Sequence, residues 1–389
     1  MKALASFTLA LAALAPPCAP AAPFVPRSGA QVLETLPQRA DAALYRQRAQ
    51  LAAAPRDPQH VAALAQRYIE LGRASSDPRY FGQAQALLSP WWSGAAPPPP
   101  IRLLRATLLQ SNHRFREAMH DLAAVTAAEP ANAQAWLTLA TIQVVQGEFS
   151  AAVRSCGRLS GLASELAGIA CLANARAANG QLAASERLLA LALARATPDV
   201  QQVGGEGVRV WAMTLLGELA ARRGDAAAAE ARFRQALALA PHDSYLLGAY
   251  ADLLLEQRRH AEVQLLLRGQ RHIDSLLLRF ALASAPASSS VAELQARFDA
   301  ALRRGDATHQ REQARFELRL RRNPQAALKL ALANWQVQKE TADLRILLES
   351  AVAARAPAAV REALAWRRQH GMEDRAIDAL VRALEGGPA

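Results

Sequence analysis

Histidine, cysteine, serine and carboxylate side chains are the groups that could hold a metal or attack a substrate, and their spacing in this sequence assembles no such site. Eight histidines are scattered along the 389 residues. No His-Glu-x-x-His and no paired Cys-x-x-Cys spacing occurs, so a metal centre is not expected. His113 and His120 are close in sequence, but a turn between two predicted helices falls near them. Gly204-Gly205-Glu206-Gly207 has the glycines of a phosphate-binding loop without the Lys-Ser or Lys-Thr pair that grips the phosphate; it reads as a flexible loop. No serine sits in a Gly-x-Ser-x-Gly elbow. Carboxylates are plentiful, but none is singled out as a catalytic pair. The expectation is a protein that is not an enzyme and needs no cofactor.

The thiols carry a different chemistry. Residues 1–21 have a positive start (Met1-Lys2), an uncharged apolar run over residues 3–15, and small residues at Ala19-Pro20-Ala21, the pattern of a secretory signal peptide. Cys18 lies inside it, where Pro16-Pro17 departs from the small residues that precede a lipid-anchored cysteine; lipid anchoring is not expected. With that segment removed, Cys156 and Cys171 remain, an even pair in an exported protein. They could form a disulfide, or they could be two small buried hydrophobes. No later stretch is long and apolar without charges, so the mature chain is expected in the periplasm or secreted, with no membrane span.

The elements that must position these groups follow from a repeat. Phe115 and Phe149, Ala118 and Ala152, Leu216 and Tyr250, Ala229 and Val263, and Phe233 and Leu267 are each 34 residues apart. Composition agrees with stacked helices: 51% hydrophobic but only 5% aromatic, with small side chains that let helices approach closely. In the clearest unit, residues 210–243, Leu216, Gly217 and Ala220 precede Gly224 at a turn. Ala229, Phe233 and Ala236 then face inwards, and Pro241 ends the unit. Trp136, Leu139, Ala140, Gly147, Phe149 and Ala152 repeat the pattern.

At nearly every defining position this resembles the tetratricopeptide repeat family, here of an exported bacterial type. The resemblance implies an all-α fold, a right-handed superhelical solenoid of helix–turn–helix units. The expected organisation is a signal peptide at 1–21, an extension with a capping helix at 22–57, a first unit at 58–92 and a Pro-rich spacer at 93–98. The core array covers 99–273 with an insertion at 198–209. Divergent units and a closing helix occupy 274–389. Cys156 falls on the second helix of one unit and Cys171 on the first helix of the next, positions that allow a bridge.

The family's groove-lining positions, carried over, name Gln66, Thr107, Thr141, Asn174, Glu218 and Asp252, with Trp211 and Tyr245 beside the last two. The row turns acidic late, and the aromatic pair could grip a basic or amphipathic segment; these are equally the ordinary exposed residues of a helix. The function implied is a non-catalytic scaffold that binds a protein or peptide partner in its concave groove and supports a complex of the cell envelope.

The net charge of +11, from 45 basic and 34 acidic residues, raises an alternative. All but three of the bases are Arg, which could present an anionic polymer or membrane surface with a basic outer face. Yet the pairs Arg222-Arg223, Arg258-Arg259, Arg303-Arg304, Arg321-Arg322 and Arg367-Arg368 mostly fall near predicted helix ends, where cations complement the negative terminus. Nucleic acid is therefore not an expected partner.

Overall fold

The computed structural model describes residue 28 and residues 42–386, apart from 94–95, 197–204, 286–287 and 306–307. The expected signal peptide, Cys18 and the first part of the 198–209 insertion lie outside the described residues. Among the described residues the chain forms twenty α-helices, one 3-10 turn and no strand. A first helix, α1 (Ala42–Ala53), leads into α2 (Pro58–Ser75) and α3 (Pro78–Trp92). There follow α4 (Pro99–Ser111), α5 (Phe115–Ala128), α6 (Ala133–Val145), α7 (Phe149–Gly157), α8 (Glu165–Ala178) and α9 (Leu182–Arg195). The middle continues as α10 (Gly205–Arg223), α11 (Ala226–Leu239), α12 (Ser244–Glu256), α13 (His260–Leu267), α14 (Asp274–Leu282) and α15 (Ser289–Arg303). The last part is α16 (Gln310–Arg319), α17 (Pro324–Val337), α18 (Thr341–Ala353), a 3-10 turn (Pro357–Val360), α19 (Arg361–His370) and α20 (Arg375–Glu385).

From α2 to α18 each even-numbered helix packs on the odd one that follows it, or on the 3-10 turn in the case of α18, and on the next even one. The even helices therefore stand side by side as one wall, the arrangement of a solenoid in which each unit touches its neighbours. One backbone device shapes the turns. Ser76, His113, Gly147, Gly180, Gly224 and Arg258 all have positive φ. The amide after each donates back to a carbonyl five residues earlier: Arg114 to Leu109 at 2.9 Å, Glu148 to Gln143 at 2.8 Å, Asp225 to Ala220 at 2.9 Å, Arg259 to Leu254 at 2.9 Å. These are Schellman-type stops, which satisfy the carbonyls orphaned at a helix end. The unit at 244–271 has no glycine at its turn, and Arg258 takes the left-handed conformation instead, at φ 58°.

Alanines at the crossings, among them Ala106, Ala118, Ala140, Ala152 and Ala173, are fully buried. At Gly217 the approach is closer still, since a Cβ there would lie 2.5 Å from the Phe233 ring. The Gly-rich segment expected as a loop is helical from Gly205 onwards. Glu206 in the first turn complements the positive helix end and favours the early start. Cys156 on α7 and Cys171 on α8 form a disulfide, their Cα atoms 5.5 Å apart.

The end of the chain does more than cap the stack. It returns along the turns of the middle units, meeting them in chain order. Gln338 bonds His113 at 2.9 Å, and the Lys339 amide donates to the Val145 carbonyl at 2.8 Å. The Trp366 ring lies on Gly147, where any Cβ would come within 2.8 Å of it and φ is +77°. His370 bonds Asn179 at 3.1 Å, the Leu182 amide donates to Glu373 at 3.3 Å, and Arg222 donates to the Glu373 carbonyl at 3.0 Å. Beneath these bonds is a shared core: Phe149, Ala152 and Ala175 of the array pack with Trp335, Leu347, Leu364 and Met372. The Trp366 ring centroid is 5.7 Å from Phe149 and 5.1 Å from Trp335.

Two stability changes are expected from this packing. Trp366→Ala removes the aromatic contact between the C-terminal helices and the array and should lower stability by about 3 kcal/mol in urea unfolding. Cys171→Ser opens a short loop and should lower it by about 3 kcal/mol, an effect that added reductant reproduces in the unmutated chain.

Candidate functional site

The wall of even helices carries the row of residues named from the sequence, and the structure treats them unequally. Gln66 is exposed on α2 and bonds Glu70 at 3.0 Å. Thr107 is buried and donates to the Leu103 carbonyl at 3.0 Å. Thr141 is half-buried and donates to the Leu137 carbonyl at 2.9 Å. Asn174 is half-buried on α8. These four are brought into no common site by any bond between them among the described residues.

Trp211, Glu218, Tyr245 and Asp252 stand in a different environment. Trp211 and Tyr245 line one cavity of about 220 Å³, together with Glu206, Val210, Thr214 and Asp243. It opens where the first turns of α10 and α12 lie side by side. Asp243 caps α12 by accepting from the Leu246 amide at 2.9 Å. The Tyr245 hydroxyl donates to Glu218 at 2.6 Å, and 63% of the tyrosine remains exposed although chain surrounds it on several sides. A larger hollow of about 430 Å³, lined by Ser150, Val153, Arg176, Asn179 and Gln181, has no aromatic wall.

Facing α10 and α12 are α16 and the start of α18, with charges that the sequence analysis left out. Asp252 is held by Arg279 and Arg315, each at 2.6 Å. Burial pushes its carboxyl up, but the two guanidiniums outweigh burial and hold it down at about 2. Arg311 reaches Glu340 at 3.1 Å, Glu312 at 3.3 Å and Asp343 at 3.4 Å, and Asn334 donates to Asp343 at 2.8 Å. Burial pushes Glu340 and Asp343 up, with the charge of Asp343 adding at Glu340 and that of Glu312 at Asp343, against the pull of Arg311.

Glu218 differs from Asp252. Burial raises its carboxyl to about 7, and the nearby charge of Glu340 adds to this, against the opposing Tyr245 hydrogen bond and the charges of Arg222 and Arg311. A signal for these partners exists in hindsight. Arg311 and Arg315 are one helical turn apart on α16, half-buried on a helix whose buried positions are Ala314 and Phe316.

Several of the paired arginines are engaged within the chain. Arg223 pairs with Glu186 at 2.9 Å, and Arg259 with Glu230 at 2.7 Å and Glu262 at 2.6 Å. Arg222 donates to the Ala177 carbonyl at 2.9 Å, and Arg367 pairs with Asp378. Among the described residues no helix is long and apolar enough to cross a membrane.

The left-handed turn residues at 113, 147, 180, 224 and 258 follow one another at 34, 33, 44 and 34 residues, the longest step crossing the insertion before α10. The chain is an all-α solenoid of helix–turn–helix units at the tetratricopeptide repeat length. No family model matches it, and no curated protein does. Solved structures similar to it include an APC/C hetero-tetramer, Cut9–Hcn1, at 12% identity and TM-score 0.42, covering 79% of this chain and 52% of that one. This solenoid thus spans about half the length of that chain. A human IFIT1 dimer with m7Gppp-AAAA is similar at 14% identity and TM-score 0.40, covering 88% and 84%. A tetratricopeptide repeat protein from Parabacteroides merdae follows at 12% identity and TM-score 0.35, covering 75% and 98%. The assignment of this solenoid rests on its own helix order and turns.

The electrostatics give a pH prediction. A carboxyl whose folded value lies above its unfolded one contributes stability below the unfolded value, and loses it as pH rises through the folded one. Glu218 should therefore destabilise the solenoid at about pH 8 relative to about pH 5. Glu218→Gln should raise stability by about 1–2 kcal/mol at the higher pH and by little at the lower, read from urea midpoints.

Proposed function

We propose that this solenoid is a non-catalytic exported scaffold that docks a protein or peptide partner against the wall of even helices and supports a complex of the cell envelope. The observation that carries the reading is the open cavity between α10 and α12, where Trp211 and Tyr245 stand on successive units. Aromatic side chains with one wet and one apolar side are the usual anchors of protein interfaces. Export is supported by the pattern of residues 1–21, and a disulfide suits that compartment. The absence of catalytic motifs supports a binding role. The alternative of an anionic polymer on the outer face has less support, because Arg223, Arg259 and Arg367 are held by the chain's own carboxylates.

A pull-down from envelope extract with the mature chain tests this. Tyr245→Ala should reduce the recovered partner roughly tenfold, because the ring is exposed and its removal leaves the core intact. Arg195→Ala, an exposed position at the end of α9, should leave recovery unchanged. A partner retained equally by Tyr245→Ala overturns the assignment.

A further inference from the structure

Glu218 and Asp252 are 34 residues apart, the same position in consecutive units. Tyr245 and Arg279 are also 34 apart. The two bonds between these residues are therefore one bond repeated: Tyr245 to Glu218 at 2.6 Å and Arg279 to Asp252 at 2.6 Å, each spanning 27 residues. In the later unit a guanidinium neutralises the carboxylate, and Arg315 adds a second. In the earlier unit a neutral hydroxyl takes the guanidinium's place. Among the described residues no ion pair reaches Glu218. The chain itself thus displays what satisfies this position, and leaves one copy of it without an ion pair, bonded to a tyrosine that lines an open cavity.

We infer that the Trp211–Tyr245 cavity receives the cationic head of an arginine side chain on a bound polypeptide, with its charge directed to Glu218. This rests on the docking reading above and names the chemistry of the partner. Charge complementarity selects the occupant. Glu206 and Asp243 line the cavity itself, and beyond the Tyr245 hydroxyl lie Glu218 and Arg222 on α10, Asp252 on α12, Arg279 on α14, Arg311, Glu312 and Arg315 on α16, and Glu340 and Asp343 at α18. Together they set seven carboxylates against four guanidiniums. The two aromatic faces add cation–π attraction, and a planar guanidinium stacks on such rings better than an ammonium does. An arriving cation would also favour the ionised form of Glu218, which burial pushes up, so binding should release a proton and strengthen as pH rises through neutrality.

The test uses the mature chain labelled with 5-fluorotryptophan, with the Trp211 resonance identified from Trp211→Phe. N-acetyl-arginine methylamide is titrated against its neutral citrulline counterpart. The arginine probe should shift the Trp211 signal saturably, and citrulline should bind roughly tenfold more weakly or not at all. The arginine affinity should rise from about pH 6 to about pH 8. Glu218→Gln should lose both the affinity and the pH dependence while retaining the remaining fluorine spectrum of a folded chain. Equal response to citrulline, or unchanged binding in Glu218→Gln, overturns the assignment. So does a saturable shift with spermidine where the arginine probe gives none, which would make the ligand a polyamine. If the pull-down partner depends on Tyr245 while the arginine probe does not bind, the cation assignment falls and the docking reading stands. If the probe binds and no partner depends on Tyr245, the docking reading falls and the cation site stands.

Discussion

The seam between the C-terminal helices and the turns of the middle units is the contact on which the rest of the structure depends. A stack of helical hairpins always ends in an apolar face that water would meet. A polar closing helix could cover it, and α20 buries only Ile377 fully. The larger burial comes from Trp335, Trp366, Leu347 and Leu364 folding back onto Val144, Phe149 and Ala175. Gly147 makes this approach possible, being both left-handed and without the Cβ that would strike the Trp366 ring. The array is thereby bent round until its late units face its middle ones.

That closure decides what the concave wall can do. Where α16 faces α12, Asp252 finds two arginines of its own chain, and a visiting segment would have to displace both. Breaking a well-placed ion pair leaves its partner charges unsatisfied, so this stretch is occupied by design of the fold. One unit earlier the wall remains open at Trp211 and Tyr245. The usable surface is thus narrower than a full row of repeat positions, and its chemistry is set by charges arriving from opposite helices.

Much of the fold was legible because a repeat writes the same local problem many times. Ala118 and Ala152 are small for one reason, the close crossing of two helices, and that reason recurs every unit. Gly147, Gly180 and Gly224 mark turns for the same cause. His113 and Arg258 were not legible as turn residues: a Schellman stop fixes the geometry through backbone bonds, and a non-glycine side chain can accept the modest strain. The α10 start at Gly205 was hidden by a glycine-rich sequence whose helical fate depends on packing against its neighbours. Of the candidate site, the side chains on the array were readable from repeat position. Arg279 also sits at the repeat position of Tyr245, whereas Arg311, Arg315 and Glu340 were not readable, because contacts across the concavity follow no period. The return of Trp366 to Gly147 likewise leaves no local trace in sequence.

Amide hydrogen exchange at single-residue resolution tests the closure most directly. The Lys339 amide donates to the Val145 carbonyl, far away in the chain, and the Leu182 amide donates to Glu373. If the C-terminal helices rest on the turns of the array, both amides exchange as slowly as the Schellman amides of Glu148 and Asp225. Exchange of Lys339 and Leu182 at the rate of an unstructured chain, while Glu148 and Asp225 stay protected, would contradict the account.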